Sequence, residues 1–124
     1  MYCGIRSFHE EIHELTRPDY MNEPYTDYNP LQLKAYEDNV EINLMTYRYR
    51  VPKGIQRKGV VFYSHGFGGY CENSAYAFKI LAESGYETIA MDLRGFGNSE
   101  GTRGCLLTTA TVYNDFDLLI KGAL

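Results

Sequence analysis

Two glycine-rich stretches contain the residues of this sequence that could do chemistry. The first, His65-Gly66-Phe67-Gly68-Gly69, directly follows an apolar run from Val60 to Tyr63. Glycine permits positive φ and lets another group approach the main chain closely, which suits recognition of a ligand by backbone groups. If the apolar run is a strand of a parallel sheet, the turn lies at a carboxyl strand end, where ligands bind.

The second stretch runs from Arg94 to Gly101, and its Gly97-Asn98-Ser99-Glu100-Gly101 matches the Gly-x-Ser-x-Gly pattern of a nucleophile elbow. That mechanism requires the serine on a sharp turn from a strand into a helix. Here Arg94-Gly95-Phe96 precede the pattern, and Thr102-Arg103-Gly104 are poor residues for opening a helix. We therefore predict that Ser99 is not a nucleophile. A loose dinucleotide fingerprint in the same stretch fails on the same missing helix start.

The sequence predicts neither a metal site nor a cofactor. His9 and His13 are one helical turn apart, but no third ligand is in view. The three cysteines, Cys3, Cys71 and Cys105, are odd in number, widely spaced and without a Cys-x-x-Cys pair. This pattern argues against a zinc ribbon and against a disulfide scaffold, and favours a reducing compartment.

Length and charge limit the classes of protein that fit. The 124 residues suffice for one modest domain, and the net charge of −4 argues against a nucleic-acid partner. The basic residues from Arg48 to Lys58 are spread over a strand and a turn, so we interpret them as solvated. The N-terminus lacks the apolar core of a signal peptide, and no apolar run is long enough to cross a bilayer. We expect a cytoplasmic protein without a transmembrane segment.

The chain divides into an N-terminal segment, 1–30, and a domain, 31–124. Ile5, Phe8, Ile12 and Leu15 form one stripe of an amphipathic helix, which we expect to dock on the domain's own body. A proline-rich loop is predicted from position 17 to 30.

The domain alternates between strand and helix patterns, in the order hairpin, strand, helix, strand, helix. The predicted elements are strands Leu31–Glu37 and Val40–Val51 around an Asp38-Asn39 turn, a Val60 strand buried on both faces, a helix Ala75–Ser84, a strand Tyr86–Leu93 and a helix Thr108–Gly122. This order predicts an α/β fold, in which an antiparallel hairpin leads into parallel strands with flanking helices.

These motifs resemble the N-terminal half of an α/β-hydrolase. The resemblance rests on His65 to Gly69 after one strand, Gly85-Tyr86, and Asp92 to Gly101 after the next strand. It covers about Leu31 to Leu124 and is strongest to the monoacylglycerol lipase, lysophospholipase and serine aminopeptidase group. The implied activity is that of a serine hydrolase acting on carboxylic or lipid esters.

The resemblance implies one binding group and a set of supporting residues. The backbone N–H of Phe67 would be a donor of the oxyanion hole, which stabilises the negative oxygen of a tetrahedral intermediate. The residues implied to hold the two turns are His65, Gly66, Gly68, Gly69, Asp92, Arg94, Gly95, Gly97 and Ser99.

The resemblance also implies that the catalytic residues themselves are missing. In the family, the elbow strand, the acidic residue and the catalytic histidine follow the helix that here ends near Leu124. We therefore expect a domain that is truncated before the elbow, with no catalytic residue and no esterase activity of its own. A non-catalytic fragment that binds a ligand or partner is the alternative.

The same resemblance leads to an expectation about association. In the family, the elbow strand pairs beside the Val60 strand, so its absence would leave an apolar edge exposed. An unpaired apolar edge is a template for pairing with another chain. We expect self-association through this edge.

Overall fold

The computed structural model describes residues 26–105 and 108–124, and it confirms a mixed α/β architecture. The predicted N-terminal helix lies outside the described residues. The strands are β1 (Thr26–Tyr28), β2 (Leu33–Glu37), β3 (Val40–Leu44), β4 (Thr46–Tyr49), β5 (Gly59–Ser64) and β6 (Tyr86–Met91). The helices are α1 (Ala75–Glu83), preceded by a 3₁₀ turn (Cys71–Ser74), and α2 (Thr109–Ala123).

The main sheet has the strand order β1-β4-β6-β5. β6 runs parallel to β5 and antiparallel to β4, which itself is antiparallel to β1. Because β5 and β6 are parallel, the glycine-rich turns that follow them lie at the same end of the sheet, beyond the carboxyl ends of the two strands. β2 and β3 form a separate antiparallel hairpin.

β6 is the central strand, and helices cover both faces of the sheet around it. On one face, α1 contributes Phe78 and Ala82 to a core with Ala90 of β6. On the other, α2 contributes Leu119 to a core with Ile89 of β6. Alternate residues of a strand point to opposite faces, so a strand covered on both sides needs a continuous apolar run.

The hairpin closes through the predicted Asp38-Asn39 turn. Both residues have positive φ, 49° and 65°, as expected for the two-residue turn that matches strand twist. Leu33 faces Leu44 and Ala35 faces Ile42 across the ladder, so the alternation in the sequence gives one apolar face. The prediction of this hairpin is confirmed.

The prediction of one strand from Val40 to Val51 is wrong, because the chain changes sheets at Met45. The Met45 N–H donates to the Ser99 hydroxyl at 2.7 Å, and the Met45 carbonyl accepts from the Asp92 N–H at 2.9 Å. Both backbone groups of Met45 are therefore bonded to residues that follow β6. β3 consequently stays in the hairpin, and β4 joins the main sheet.

Two further expectations are corrected. Residues 26–28, predicted as loop, form β1, whose Tyr28 ring packs edge-on against Tyr47 at 6.0 Å between centroids. The Val60 strand, predicted as buried on both faces, is only partly buried. The reason is its position, since β5 pairs with β6 alone within the part of the chain that the structure describes.

The helices begin and end close to the predicted residues. The Thr108 hydroxyl caps α2 by accepting a hydrogen bond from the Thr111 N–H at 3.1 Å. Gly85, with φ +99°, follows the end of α1. Neither helix of the described ranges is long and apolar enough to cross a membrane.

The cysteines differ from the expectation drawn from their spacing. Cys71 is a free, buried thiol, whereas Cys105 is disulfide-bonded. The inference of a reducing compartment does not account for this bond.

The exposed edge of β5 leads to a prediction about association. The strand carries no charge and no proline, the two devices that commonly block pairing at an edge. We expect the chain to self-associate, and Val60→Lys to shift it toward a monomer because a charge at the edge opposes pairing. Light scattering measures the mass of both proteins.

Ile80→Lys is the matched control, since it adds the same charge at an exposed apolar position of helix α1. A wild-type chain that is a monodisperse monomer would contradict the prediction, as would equal dissociation by both variants.

Candidate functional site

The ring of His65 connects the turn after β5 to the end of β6. His65 is buried, with Nδ1 2.8 Å from the Gly66 carbonyl oxygen, and its Nε2 accepts a hydrogen bond from the Leu93 N–H at 2.9 Å. Because Nε2 is the acceptor, the proton of the neutral ring lies on Nδ1, which donates to Gly66. Both ring nitrogens are occupied, so His65 holds the turn and has no free nitrogen to act as a base.

The same turn presents a backbone donor at the surface. The Gly69 N–H closes the turn by donating to the Gly66 carbonyl at 3.0 Å, and Gly68 has φ +80°, which favours glycine. No described residue accepts a hydrogen bond from the Phe67 N–H. Phe67 is 77% exposed as a residue, and its ring packs edge-on against Phe96 at 5.3 Å between ring centroids. Within the described residues, this N–H is therefore left without an acceptor.

The turn after β6 requires glycine where it passes over Asp92. Gly97 has φ +52°, and a Cβ atom at this position would lie 2.5 Å from the Asp92 carboxyl carbon. A contact that short forces the turn or the carboxylate to move. The close approach places the backbone of the turn directly on the carboxylate.

The Ser99 hydroxyl is fully hydrogen-bonded within the fold around the same turn. Its buried hydroxyl donates to the Asp92 carbonyl at 2.5 Å and accepts from the Met45 N–H at 2.7 Å. The Ser99 oxygen is thus fixed between β6 and the start of β4, and the structure gives it no partner that could act as a base.

The Asp92 carboxylate joins three parts of the fold. One oxygen accepts from the Cys71 N–H at 2.7 Å, and the other accepts from the Tyr47 hydroxyl at 2.8 Å and the Asn98 N–H at 3.0 Å. These donors belong to the 3₁₀ turn before α1, to β4 and to the turn after β6. Asp92 is fully buried, so the donors supply the solvation that water would otherwise provide.

A second buried carboxylate extends this network. The Asn98 side-chain amide donates to Glu72 at 3.0 Å and to the Tyr47 hydroxyl at 3.1 Å. Burial, together with the nearby Asp92 carboxylate, raises the pKa of Tyr47, and the same two causes raise the pKa of the Cys71 thiol. Both groups therefore stay protonated and are poor nucleophiles.

Arg94 ties the second turn to α2. It makes two parallel hydrogen bonds to Asp115, at 2.7 and 2.8 Å, and donates a third to the Tyr36 carbonyl at 2.9 Å. Both charged side chains are buried. The hydrogen bond to Asp115 raises the pKa of Arg94, so the guanidinium stays charged.

The hairpin is attached to the same turn through two carboxylates. Glu37 accepts from the N–H and the hydroxyl of Thr102, and the hydroxyl hydrogen bond lowers the pKa of Glu37. Glu100 accepts from the Asn43 N–H at 2.7 Å. The second turn is thus bonded to the hairpin, to β4 and to α2.

A shallow groove of about 500 Å³ lies beside the first turn. Its lining residues are all uncharged: Phe67, Thr108, Thr109, Val112 and Tyr113. In residues 26–105 and 108–124, no cluster of His, Cys, Asp and Glu side chains is arranged to hold a metal ion. What the site offers a ligand is a backbone donor and an uncharged groove.

The candidate residues predicted from the sequence lie close together at the carboxyl ends of β5 and β6. His65, Asp92 and Ser99 are joined through the residues around the end of β6, and Phe67 lies at the surface beside them. Arg94 lies slightly apart, facing α2. His9 and His13 lie outside the described residues.

Four members of this network were not predicted from the sequence: Tyr47, Glu72, Asn98 and Asp115. A signal existed for Asp115, which lies between Val112 and Leu119 on the apolar stripe of α2. A carboxylate on a buried stripe needs a partner. No comparable local signal marks Tyr47, because its role depends on the position of Asp92 in space.

Comparison with known proteins decides the family. The family model described as serine aminopeptidase, S33, matches residues 55–123, which include both turns. The chain belongs to this α/β-hydrolase family. An Escherichia coli protein described as an uncharacterized 31.7 kDa protein in the traX-finO intergenic region is 38% identical over 60 residues. That match covers 48% of this chain and 21% of the relative, so the chain spans about a fifth of that relative's length.

Solved structures show the same fold. A soluble variant of monoglyceride lipase from Saccharomyces cerevisiae is 25% identical with a TM-score of 0.58, over 73% of this chain and 32% of that one. A carboxyl esterase from Bacillus coagulans is 21% identical with a TM-score of 0.59, over 80% and 32%. A probable hydrolytic enzyme from Pseudomonas aeruginosa is 18% identical with a TM-score of 0.59, over 77% and 29%. The chain therefore carries part of an α/β-hydrolase fold.

The buried Arg94–Asp115 pair generates a stability prediction. Asp115→Ala leaves a buried guanidinium without its counter-charge, and we expect it to lower the free energy of unfolding by about 3–5 kcal/mol. Asp117→Ala, two residues along α2, removes only an exposed pair with Lys121, and we expect no measurable loss of stability.

Urea unfolding of both variants measures the difference. Equal losses from Asp115→Ala and Asp117→Ala would show that the buried pair does not hold α2 against the turn.

Proposed function

We propose that this chain forms the oxyanion-turn portion of a serine hydrolase that acts on carboxylic esters, with lipid esters such as monoacylglycerols as the substrate class. Membership of the serine aminopeptidase family supports a hydrolase-like fragment. The similarity to a monoglyceride lipase and a carboxyl esterase supports the ester class. The proposed partner is a small acyl-ester or lipid substrate, with no cofactor and no nucleic acid.

The observation that carries the proposal is the position of the Phe67 N–H. It lies at the carboxyl end of β5, it has no acceptor among the described residues, and the turn around it is held by His65. A rigid donor of this kind stabilises the charge that develops on an ester carbonyl oxygen. The turn therefore needs no catalytic side chain of its own to contribute to catalysis.

The chain on its own is proposed to be inactive. Acyl transfer by a serine requires the hydroxyl, a base and an orienting group within hydrogen-bond reach. The Ser99 hydroxyl and both nitrogens of His65 are already bonded within the fold. In the described residues, no other histidine is present to act as a base. The cytoplasmic location stays a prediction.

The second candidate is a non-catalytic fragment that binds a ligand or partner. The observation that supports inactivity also favours this candidate, because the polar side chains near the turns are bonded within the fold. Its binding surface would be the uncharged groove beside Phe67.

Two measurements test the proposal. We expect the purified chain to hydrolyse a short p-nitrophenyl ester no faster than buffer, since residues 26–105 and 108–124 hold no paired nucleophile and base. Turnover that a serine-directed fluorophosphonate abolishes would contradict this. Reading the transcript past the Leu124 codon then separates the two candidates. An apolar strand and a true elbow support the hydrolase, whereas an immediate stop codon supports the binding fragment.

In a longer product that contains the elbow, the role of Phe67 has a direct test. Phe67→Pro removes the N–H, and we expect kcat to fall on the order of a hundredfold. Phe67→Ala keeps the N–H and is the matched control. Equal activity of the two variants would remove the oxyanion role.

A further inference from the structure

A basic surface lies at the end of the sheet opposite the two glycine turns. β4 ends there, and β5 and β6 begin there, because β4 is antiparallel to β6 and β5 is parallel to it. The cationic side chains of this basic end are those of Arg48, Arg50, Lys53, Arg57 and Lys58. The sequence predicts them only as solvated residues, since they are spread over eleven positions of strand and loop.

Ion pairing neutralises only part of this charge. Glu87 binds both Arg48 and Arg57, and Asp27 binds Arg50 at 3.1 Å. Burial alone would raise the pKa of Glu87, but the hydrogen bonds from the two arginines lower it, so the carboxylate is ionised. Among the described residues, no carboxylate pairs with Lys53 or Lys58, so this end is cationic on a chain whose net charge is −4.

Apolar side chains are exposed among these cations. Ile55 is 38% exposed and lies between Lys53 and Arg57 in the loop before β5. Tyr86 is 38% exposed, and the Lys58 ammonium group lies 6.0 Å from the centre of its ring. Val60 is 37% exposed at the start of β5. The basic end is therefore both cationic and partly apolar.

We propose that the basic end docks on an anionic lipid surface. Lysine and arginine side chains near an anionic bilayer are attracted to its headgroups, and tyrosine is enriched at the boundary between headgroups and acyl chains. Ile55 would enter that boundary while Lys53 and Arg57 remain at the headgroups, as long cationic side chains do. An acidic polypeptide would use the cations but would gain little from the exposed isoleucine.

Docking in this way has a consequence for orientation. The glycine turns lie at the opposite end of the sheet, so the candidate site would face the aqueous side. Docking of the basic end would therefore attach the chain to the surface independently of the proposed hydrolase function.

Vesicle co-sedimentation of the full chain tests this inference. The vesicles are phosphatidylcholine alone, or phosphatidylcholine mixed with phosphatidylserine, and a sample without vesicles measures sedimentation by self-association. We expect binding to the anionic vesicles only, weakening as added salt screens the charges. Each cation near such a surface raises partitioning about fivefold, so Lys53→Ala with Lys58→Ala should weaken binding on the order of 20-fold.

The matched control is the double variant Lys34→Ala with Lys121→Ala, which removes the same charge from β2 and α2 and should bind as wild type does. Ile55→Asp should also weaken vesicle binding. Equal loss in the two double variants, or no preference for anionic vesicles, would overturn the proposal. Binding to polyglutamate that Ile55→Asp leaves unchanged, without vesicle binding, would replace the lipid with an acidic protein partner.

Discussion

The buried carboxylate of Asp92 is the interaction on which both glycine turns depend. An ionised group with no exposure is strongly unfavourable unless hydrogen bonds replace its lost solvation. Here the replacements come from Cys71, Tyr47 and Asn98, which belong to three separate elements. Because the carboxylate requires these donors together, it fixes the 3₁₀ turn that follows the first glycine turn, β4 and the second glycine turn relative to one another.

The rest of the site is built outward from this point. The Leu93 N–H, one residue beyond Asp92, holds His65 and through it the turn that exposes the Phe67 N–H. The Arg94 guanidinium, one residue further, anchors α2 through Asp115. Three consecutive residues after β6 thus set the positions of the carboxylate network, the oxyanion candidate and the second helix. Because β5 and β6 are parallel neighbours, the residues that follow Ser64 and Met91 lie side by side and can form these contacts.

Elements with local signals could be predicted from the sequence, and those set by contacts distant in sequence could not. The hairpin, β6 and both helices follow from periodicity and from turn residues such as Asp38 and Gly85. The break at Met45 could not be predicted, because its cause is Ser99, which lies 54 positions further along the chain. The glycine turns marked where the site lies, whereas Tyr47 and Glu72 join it only through the fold.

Amide hydrogen exchange of Asp92→Asn measures whether the buried carboxylate holds the turns in place. An asparagine side chain keeps the size of the carboxylate but replaces one acceptor oxygen with a donor, so at least one N–H loses its partner. We expect the Cys71 and Asn98 amides to lose protection together, while amides within the β2–β3 hairpin ladder keep theirs. Unchanged protection at Cys71 and Asn98 would show that the two turns hold their positions without the Asp92 carboxylate.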